Sequence, residues 1–338
     1  MTLEEIAKKM CAKGKGILAA DESTGTMGKR LKSINVESTE KNRLMFRETL
    51  FASEAMKHYI GGVILFDETI KQKTSNGMSI PELLIKNDSV PGIKVDKGAK
   101  PLAGSPEETI TEGLDGLRER LKEYYDLGAR FTKWRAVYNI GNKFPSTQSI
   151  KSNAHALARY ASLVQEANMV PIVEPEVLMD GSHDIDKCYA VTTDVLNECY
   201  NELLIHKVNL KGTVLKPNMV IPGANCSKKV SVEEIAKKTL ECLKKNVPNE
   251  VPGIAFLSGG QSELEASKNL NEINKLNDTN FLITFSYGRG LQASALKAFG
   301  NDINNKKKIQ DVFAHRAKMN GLSSKGEWSK ELEQEAVA

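Results

Sequence analysis

No apolar run in this chain approaches the length of a membrane span, and the opening residues MTLEEIAKKMCAKGKG hold no apolar stretch of signal-peptide length. Both absences predict a cytoplasmic protein with no membrane contact. Cysteine is scarce: Cys11, Cys188, Cys199, Cys226 and Cys242 are odd in number, widely spaced and without a C-x-x-C pair. That pattern suits reduced thiols of a cytosolic protein better than a disulfide frame or a zinc site. Charge of one sign is also missing, since 47 basic residues face 43 acidic ones. Nucleic acid is therefore disfavoured as a partner, and Lys228-Lys229 and Lys306-Lys307-Lys308 read as solvated helix ends or loops.

Common catalytic devices are absent too. There is no G-x-S-x-G elbow, and His58, His155, His183, His206 and His315 show no i, i+4 pair or other ligand spacing. The expected metal site is none. No interdomain linker or low-complexity tract interrupts the chain, so residues 1–338 read as one domain with a short tail from about 322.

What is present is a series of short apolar runs that end on polar or small residues. They are Gly16–Asp21, Gly62–Phe66, Gly92–Asp96, Phe131–Arg135, Val170–Glu174, Thr213–Lys216, Ile254–Ser258 and Leu282–Ser286. Eight such runs recur at intervals of roughly 30 to 45 residues, the spacing of a strand followed by a helix and its loops. Helical stripes lie between them, for example Leu114, Leu117, Leu121 and Tyr125, or Ala236, Leu240 and Leu243. Helix starts are marked by a hydroxyl three residues before a glutamate, at Thr2, Ser105 (with Pro106 following), Ser231 and Ser262. The pattern predicts a single (β/α)8 TIM barrel, an α/β fold whose chemistry sits where the strands end.

Those ends carry a dense set of charges: Asp21, Lys94, Asp96, Lys133, Arg135, Glu174, Glu176, Lys216 and Arg289. Gathering like charges at a barrel mouth is costly unless they are used. Lys216 follows an apolar run, and burial together with a second ammonium from Lys133 would disfavour the charged form of such an amine, leaving it able to attack a carbonyl. Ser258-Gly259-Gly260 after the seventh run and Ser286-Tyr287-Gly288-Arg289 after the eighth occupy the common phosphate position of this fold, where glycines let backbone amides approach and serine and arginine add donors. Ser23, Lys94 and Arg135 could hold a second anion, which suggests a substrate with a phosphate at each end.

At this point the chain resembles the animal-type class I fructose-1,6-bisphosphate aldolases. The resemblance rests on GKGILAADEST (14–24), GGVILF (61–66), GIKVDKG (92–98), KWR (133–135), ARYASL (158–163), VPIVEPE (170–176), LKPNMV (215–220), FLSGGQSE (256–263) and FSYGRGLQASALKA (285–298). It implies aldol cleavage and synthesis of fructose 1,6-bisphosphate through a lysine Schiff base, in glycolysis and gluconeogenesis, without a cofactor, in a cytoplasmic homotetramer. By the same resemblance Lys216 forms the Schiff base, Glu174 serves carbinolamine dehydration, and Asp21 takes the hydroxyl proton during carbon–carbon cleavage. Lys133 supplies positive charge and Glu176 orders the carboxylate and lysine network. Ser258, Gly259, Gly288 and Arg289 would hold one phosphate, and Ser23, Thr26, Lys94 and Arg135 contribute to the other, with Thr26 standing where many relatives carry serine.

The animal enzymes also have a tail whose terminal tyrosine assists proton exchange at the enamine, whereas this sequence closes on Glu333-Gln334-Glu335-Ala336-Val337-Ala338. Either the enamine is protonated by another route, or that step is slow, or the sequence is truncated. The competing readings are another Schiff-base phosphosugar lyase or transaldolase, and a barrel retained as a scaffold.

Overall fold

The computed structural model describes residues 1–334, so the last positions of the tail, 335–338, lie outside the described residues. Every one of the eight apolar runs forms a parallel strand. In chain order the barrel strands are β1 (Gly16–Ala20), β2 (Ile60–Leu65), β3 (Val90–Lys94), β6 (Phe131–Tyr138), β7 (Val170–Val177), β8 (Val214–Leu215), β9 (Gly253–Phe256) and β10 (Leu282–Tyr287). They close in sequential order, β10 pairing with β1, and a separate antiparallel hairpin of β4 (Ala99–Leu102) and β5 (Ser105–Thr111) intervenes between β3 and β6.

The helices of the first half are α1 (Leu3–Met10), α2 (Thr24–Ser33), α3 (Glu40–Phe51), α4 (Ala55–Tyr59), α5 (Asp67–Ile70), α6 (Ile80–Lys86) and α7 (Leu117–Asp126). Those of the second are α8 (Thr147–Glu166), α9 (Ile185–Ile205), α10 (Val232–Asn246), α11 (Glu263–Leu276), α12 (Arg289–Asn301), α13 (Lys306–Ser323) and α14 (Lys330–Glu333). Thr2 and Ser262 form reciprocal capping boxes with Glu5 and Glu265, which ties down orphan amides at the starts of α1 and α11. Ser231 caps α10 by accepting from the amide of Glu234. No helix among the described residues is long and apolar enough to cross a membrane.

Two of the sequence expectations are corrected. Ser105 opens a strand, not a helix: the chain turns at Gly104, whose φ of +82° favours glycine, and runs back along β4. Its hydroxyl still donates to Glu108 at 2.9 Å, so the local contact of a cap is present on extended backbone. Further along, α7 begins at Leu117 and buries Leu117, Leu121 and Tyr124, so Leu114 precedes the helix and Tyr124, not Tyr125, completes its buried stripe.

A small apolar cluster fills the lumen beneath the mouth. Ile17, Ile64, Phe131, Ile172, Val214 and Ala255 point inward, and Ile6, Ala7 and Met10 of α1 plug the bottom. Phe131 requires glycine beside it, since a Cβ on Gly92 would lie 2.2 Å from its ring. A second, larger cluster packs the helices onto the outside of the barrel. The lumen is thus closed from below and can open only where the strands end. All five cysteines are unpaired, and burial pushes the Cys11 thiol up to about 12 and that of Cys188 up to about 11, which makes both poor nucleophiles.

Candidate active site

The mouth holds a cavity of about 860 Å³. It is lined by all of the residues singled out from the sequence: Asp21, Ser23, Thr26, Lys94, Lys133, Arg135, Glu174, Glu176, Lys216, Ser258, Gly259, Gly288 and Arg289. The pleat explains the floor. Alternate residues of a strand face the same way, so Lys133 and Arg135 on β6, and Glu174 and Glu176 on β7, project toward the lumen. Register aligns Arg135 with Glu174 and Lys94 of β3 with Lys133. Both strands run three residues past the ends the apolar runs suggested, to Tyr138 and Val177, because ion pairing compensates the charges there.

Glu174 is the hub. Its Oε1 lies 3.1 Å from the Lys216 ammonium and its Oε2 lies 3.2 Å from that of Lys133. Lys133 also contacts Asp21 at 2.7 Å. The side chains of Lys133, Glu174 and Lys216 are at most 5% exposed, so water does little to screen them. Burial pushes the Asp21 and Glu174 carboxyls up, but the ammonium groups of Lys133 and Lys216 outweigh it and hold both below the usual carboxylate range. Burial works against the Lys133 ammonium as well, yet Asp21 and Glu174 hold its pKa above the ordinary lysine value. The two ammonium groups do not meet bare: the Glu174 carboxylate stands between them. Glu174 Oε2 makes no hydrogen bond within the protein, which leaves a buried acceptor beside the cavity.

The cations of the second anion group carry ion pairs of their own. Lys94 binds Asp96 at 2.5 Å, and Arg135 donates to Glu176, so both cations are already paired. Glu176 thereby holds the Arg135 guanidinium beside the network. Ser23 caps α2 and donates to the Thr26 hydroxyl at 3.1 Å, placing both hydroxyls at a helix N-terminus that opens on the cavity.

Beside it, where β1 meets β10, the Ser258–Gly260 turn and the N-terminus of α12 at Gly288-Arg289 stand together. Gly259 and Gly260 have φ of +48° and +77°, which is why glycine occupies the turn. One further residue of this corner escaped the sequence reading. Arg30 comes within 3.8 Å of where a Gly288 side chain would begin, and it pairs with the buried Glu22. Its signal was helical phase, since it follows Ser23 by seven residues on α2 and so shares a face with it. Ser286, near the end of β10, lines the cavity with a buried hydroxyl that has no partner in the protein.

This arrangement of a buried amine between carboxylates, flanked by phosphate-type corners, suits Schiff-base chemistry on a doubly phosphorylated sugar. The family model described as glycolytic fructose-bisphosphate aldolase class-I matches residues 2–338. The chain belongs to the class-I fructose-bisphosphate aldolase family. Among similar proteins, fructose-bisphosphate aldolase 4, cytosolic, of Arabidopsis thaliana is 55% identical over 93% of this chain and 80% of its own length. The probable fructose-bisphosphate aldolase class 1 of Xanthomonas axonopodis pv. citri is 52% identical over 96% of this chain and 98% of its own. The aldolase of Plasmodium falciparum, solved with TRAP and a small-molecule inhibitor, superposes with a TM-score of 0.95 at 46% identity, covering 97% of this chain and 95% of that one. The class-I aldolase is a carbon–carbon lyase that cleaves and forms fructose 1,6-bisphosphate through a lysine Schiff base, which sets aside the transaldolase reading.

Proposed function

We propose that Lys216 is the Schiff-base lysine of this aldolase and that Glu174 and Asp21 move its protons. The observation that carries the assignment is the single carboxylate of Glu174 held between two buried ammonium groups. Lys216 loses a proton and its nitrogen attacks C2 of the ketose, giving a carbinolamine. Glu174, protonated in that exchange, returns the proton to the carbinolamine hydroxyl, which leaves as water and yields the iminium. Asp21 takes the proton of the C4 hydroxyl; the C3–C4 bond then breaks, its electrons pass into the enamine, and glyceraldehyde 3-phosphate departs. Protonation of the enamine carbon and hydrolysis of the imine release dihydroxyacetone phosphate and restore the amine.

Lys133 remains an ammonium throughout, countering the negative charge of Asp21 and Glu174 and keeping both ionised and ready to accept. Ser258, Gly259, Gly288 and Arg289, joined by Arg30, would hold one phosphate. Ser23 and Thr26 at the start of α2, with Lys94 and Arg135, would receive the other once Asp96 and Glu176 yield. Glu176 positions Arg135. We infer one barrel domain with a short tail from about residue 322, in a cytoplasmic homotetramer; relatives named as cytosolic support the location. Lys216→Arg keeps the charge and removes the nucleophile, so loss of cleavage in a folded variant tests the assignment, and retained turnover would refute it.

A further inference from the structure

On the outer face of the barrel, away from the mouth, α8 and α9 bring together three groups that the linear spacing of histidines did not reveal. His155 lies mid-way along α8; Glu202 and His206 stand one turn apart at the end of α9. One ligand atom from each lies within 4.8 Å of the others. His155 Nδ1 is 3.0 Å from Glu202 Oε2, and the two imidazole rings meet edge to face with centroids 4.9 Å apart. The His206 Nδ1–H donates to the Glu202 backbone carbonyl at 2.9 Å, which fixes its tautomer and leaves the lone pair on Nε2. Among the described residues, the half-buried Glu202 carboxylate pairs with these two histidines and with no lysine or arginine.

We propose that these three side chains form a binding site for a zinc-class divalent cation that ties the last turn of α9 to α8. The chemistry is the exchange of a proton for a metal. In the free protein His155 donates its Nδ1–H to Glu202 Oε2; the cation takes the place of that proton, the ring passes to the tautomer protonated on Nε2 and stays neutral, and Nδ1 and Oε2 become ligands. Their separation suits this, since adjacent ligands around a tetrahedral zinc with bonds of about 2.0–2.1 Å lie roughly 3.3 Å apart. His206, whose Nδ1 now stands 3.5 Å from Glu202 Oε2, supplies a third bond through Nε2 once its ring turns, and water a fourth. Two imidazoles and one carboxylate are a borderline-soft donor set that favours zinc, nickel or copper over magnesium or calcium. The position also suits a cation, because the free carbonyls at the end of α9 carry the negative end of the helix dipole.

The test uses the untagged full chain, stripped with chelator and dialysed, with zinc as the probe. Competition against a chromophoric chelator should show about one equivalent of tight zinc per chain, and His155→Ala, Glu202→Gln and His206→Ala should each weaken it at least about tenfold. Zinc should also slow amide hydrogen exchange in the last turn of α9 in the wild-type protein but not in His206→Ala. Fructose 1,6-bisphosphate cleavage by the variants, which lie outside the mouth, should match wild type and report that they fold. No zinc bound by the wild type, equal affinity in the variants, or binding without protection of α9 would each overturn the proposal.

Discussion

Glu174 touches two lysines at once, Lys216 through Oε1 at 3.1 Å and Lys133 through Oε2 at 3.2 Å. One carboxylate thus couples the amine that would become the imine to the cation that stays charged. A proton gained at one oxygen weakens the hold on both lysines, so proton transfer and charge balance at this site are a single event.

Glu174→Gln keeps the shape of the side chain and removes its proton traffic. Steady-state kcat should fall about 10²–10⁴-fold, the usual worth of a positioned acid–base group. Single-turnover formation of the Schiff base should slow by a similar factor. A variant that forms the imine at the wild-type rate would remove Glu174 from dehydration.

Stability against acid follows from the same cluster. Asp21 and Glu174 bind protons more weakly in the folded protein than at their ordinary values of 3.8 and 4.5, so the unfolded chain takes up more protons as the pH falls. Their contribution is present above about pH 4.5 and is lost progressively below it. Lys133 has the opposite sign: its pKa is raised above 10.5, so its contribution is complete below that value and is lost in strong alkali. In Lys133→Met the main cation holding down both carboxyls is gone. Denaturant midpoints measured between about pH 3 and 7 should therefore depend less on pH than in wild type, and an unchanged acid limb would contradict the electrostatic account.

Arg30 predicts a split between binding and chemistry. Set beside Gly288, it would lend a charge-assisted bond to a phosphate, about 1.5–3 kcal/mol, so Arg30→Ala should lower kcat/KM for fructose 1,6-bisphosphate by about 10–150-fold. Glu22 keeps Arg47 at 3.5 Å, so the fold should survive. An equal loss with an unphosphorylated ketose would show that Arg30 does not read phosphate.

Packing beneath the mouth can be tested apart from chemistry. Gly92→Ala drives a methyl into the Phe131 ring and should cost about 1–3 kcal/mol in chemical denaturation. Adding Phe131→Leu should recover part of that loss, and additive destabilisation would mean the clash is relieved elsewhere.

Much of this could be read in advance because a barrel writes each strand as an apolar run and puts its chemistry at the run's end. Lys216, Asp21 and the glycine turns were legible for that reason. The outer ends of β6 and β7 were not: the runs were closed at the charges of Arg135 and Glu174, whereas the strands alternate on to Tyr138 and Val177. The β4–β5 hairpin was misread because Ser105, Pro106 and Glu108 imitate a helix start, and only the left-handed turn at Gly104 separates the two outcomes. Pairing of Glu176 with Arg135 depends on which side chains meet across strands, and Arg30 reaches the site from a helix, so neither is visible at strand ends.

The most direct test of the account is borohydride reduction in the presence of dihydroxyacetone phosphate, followed by peptide mass mapping. A reduced triose phosphate adduct on Lys216 is the predicted result; its absence there, or an adduct on Lys133 instead, would contradict the central claim.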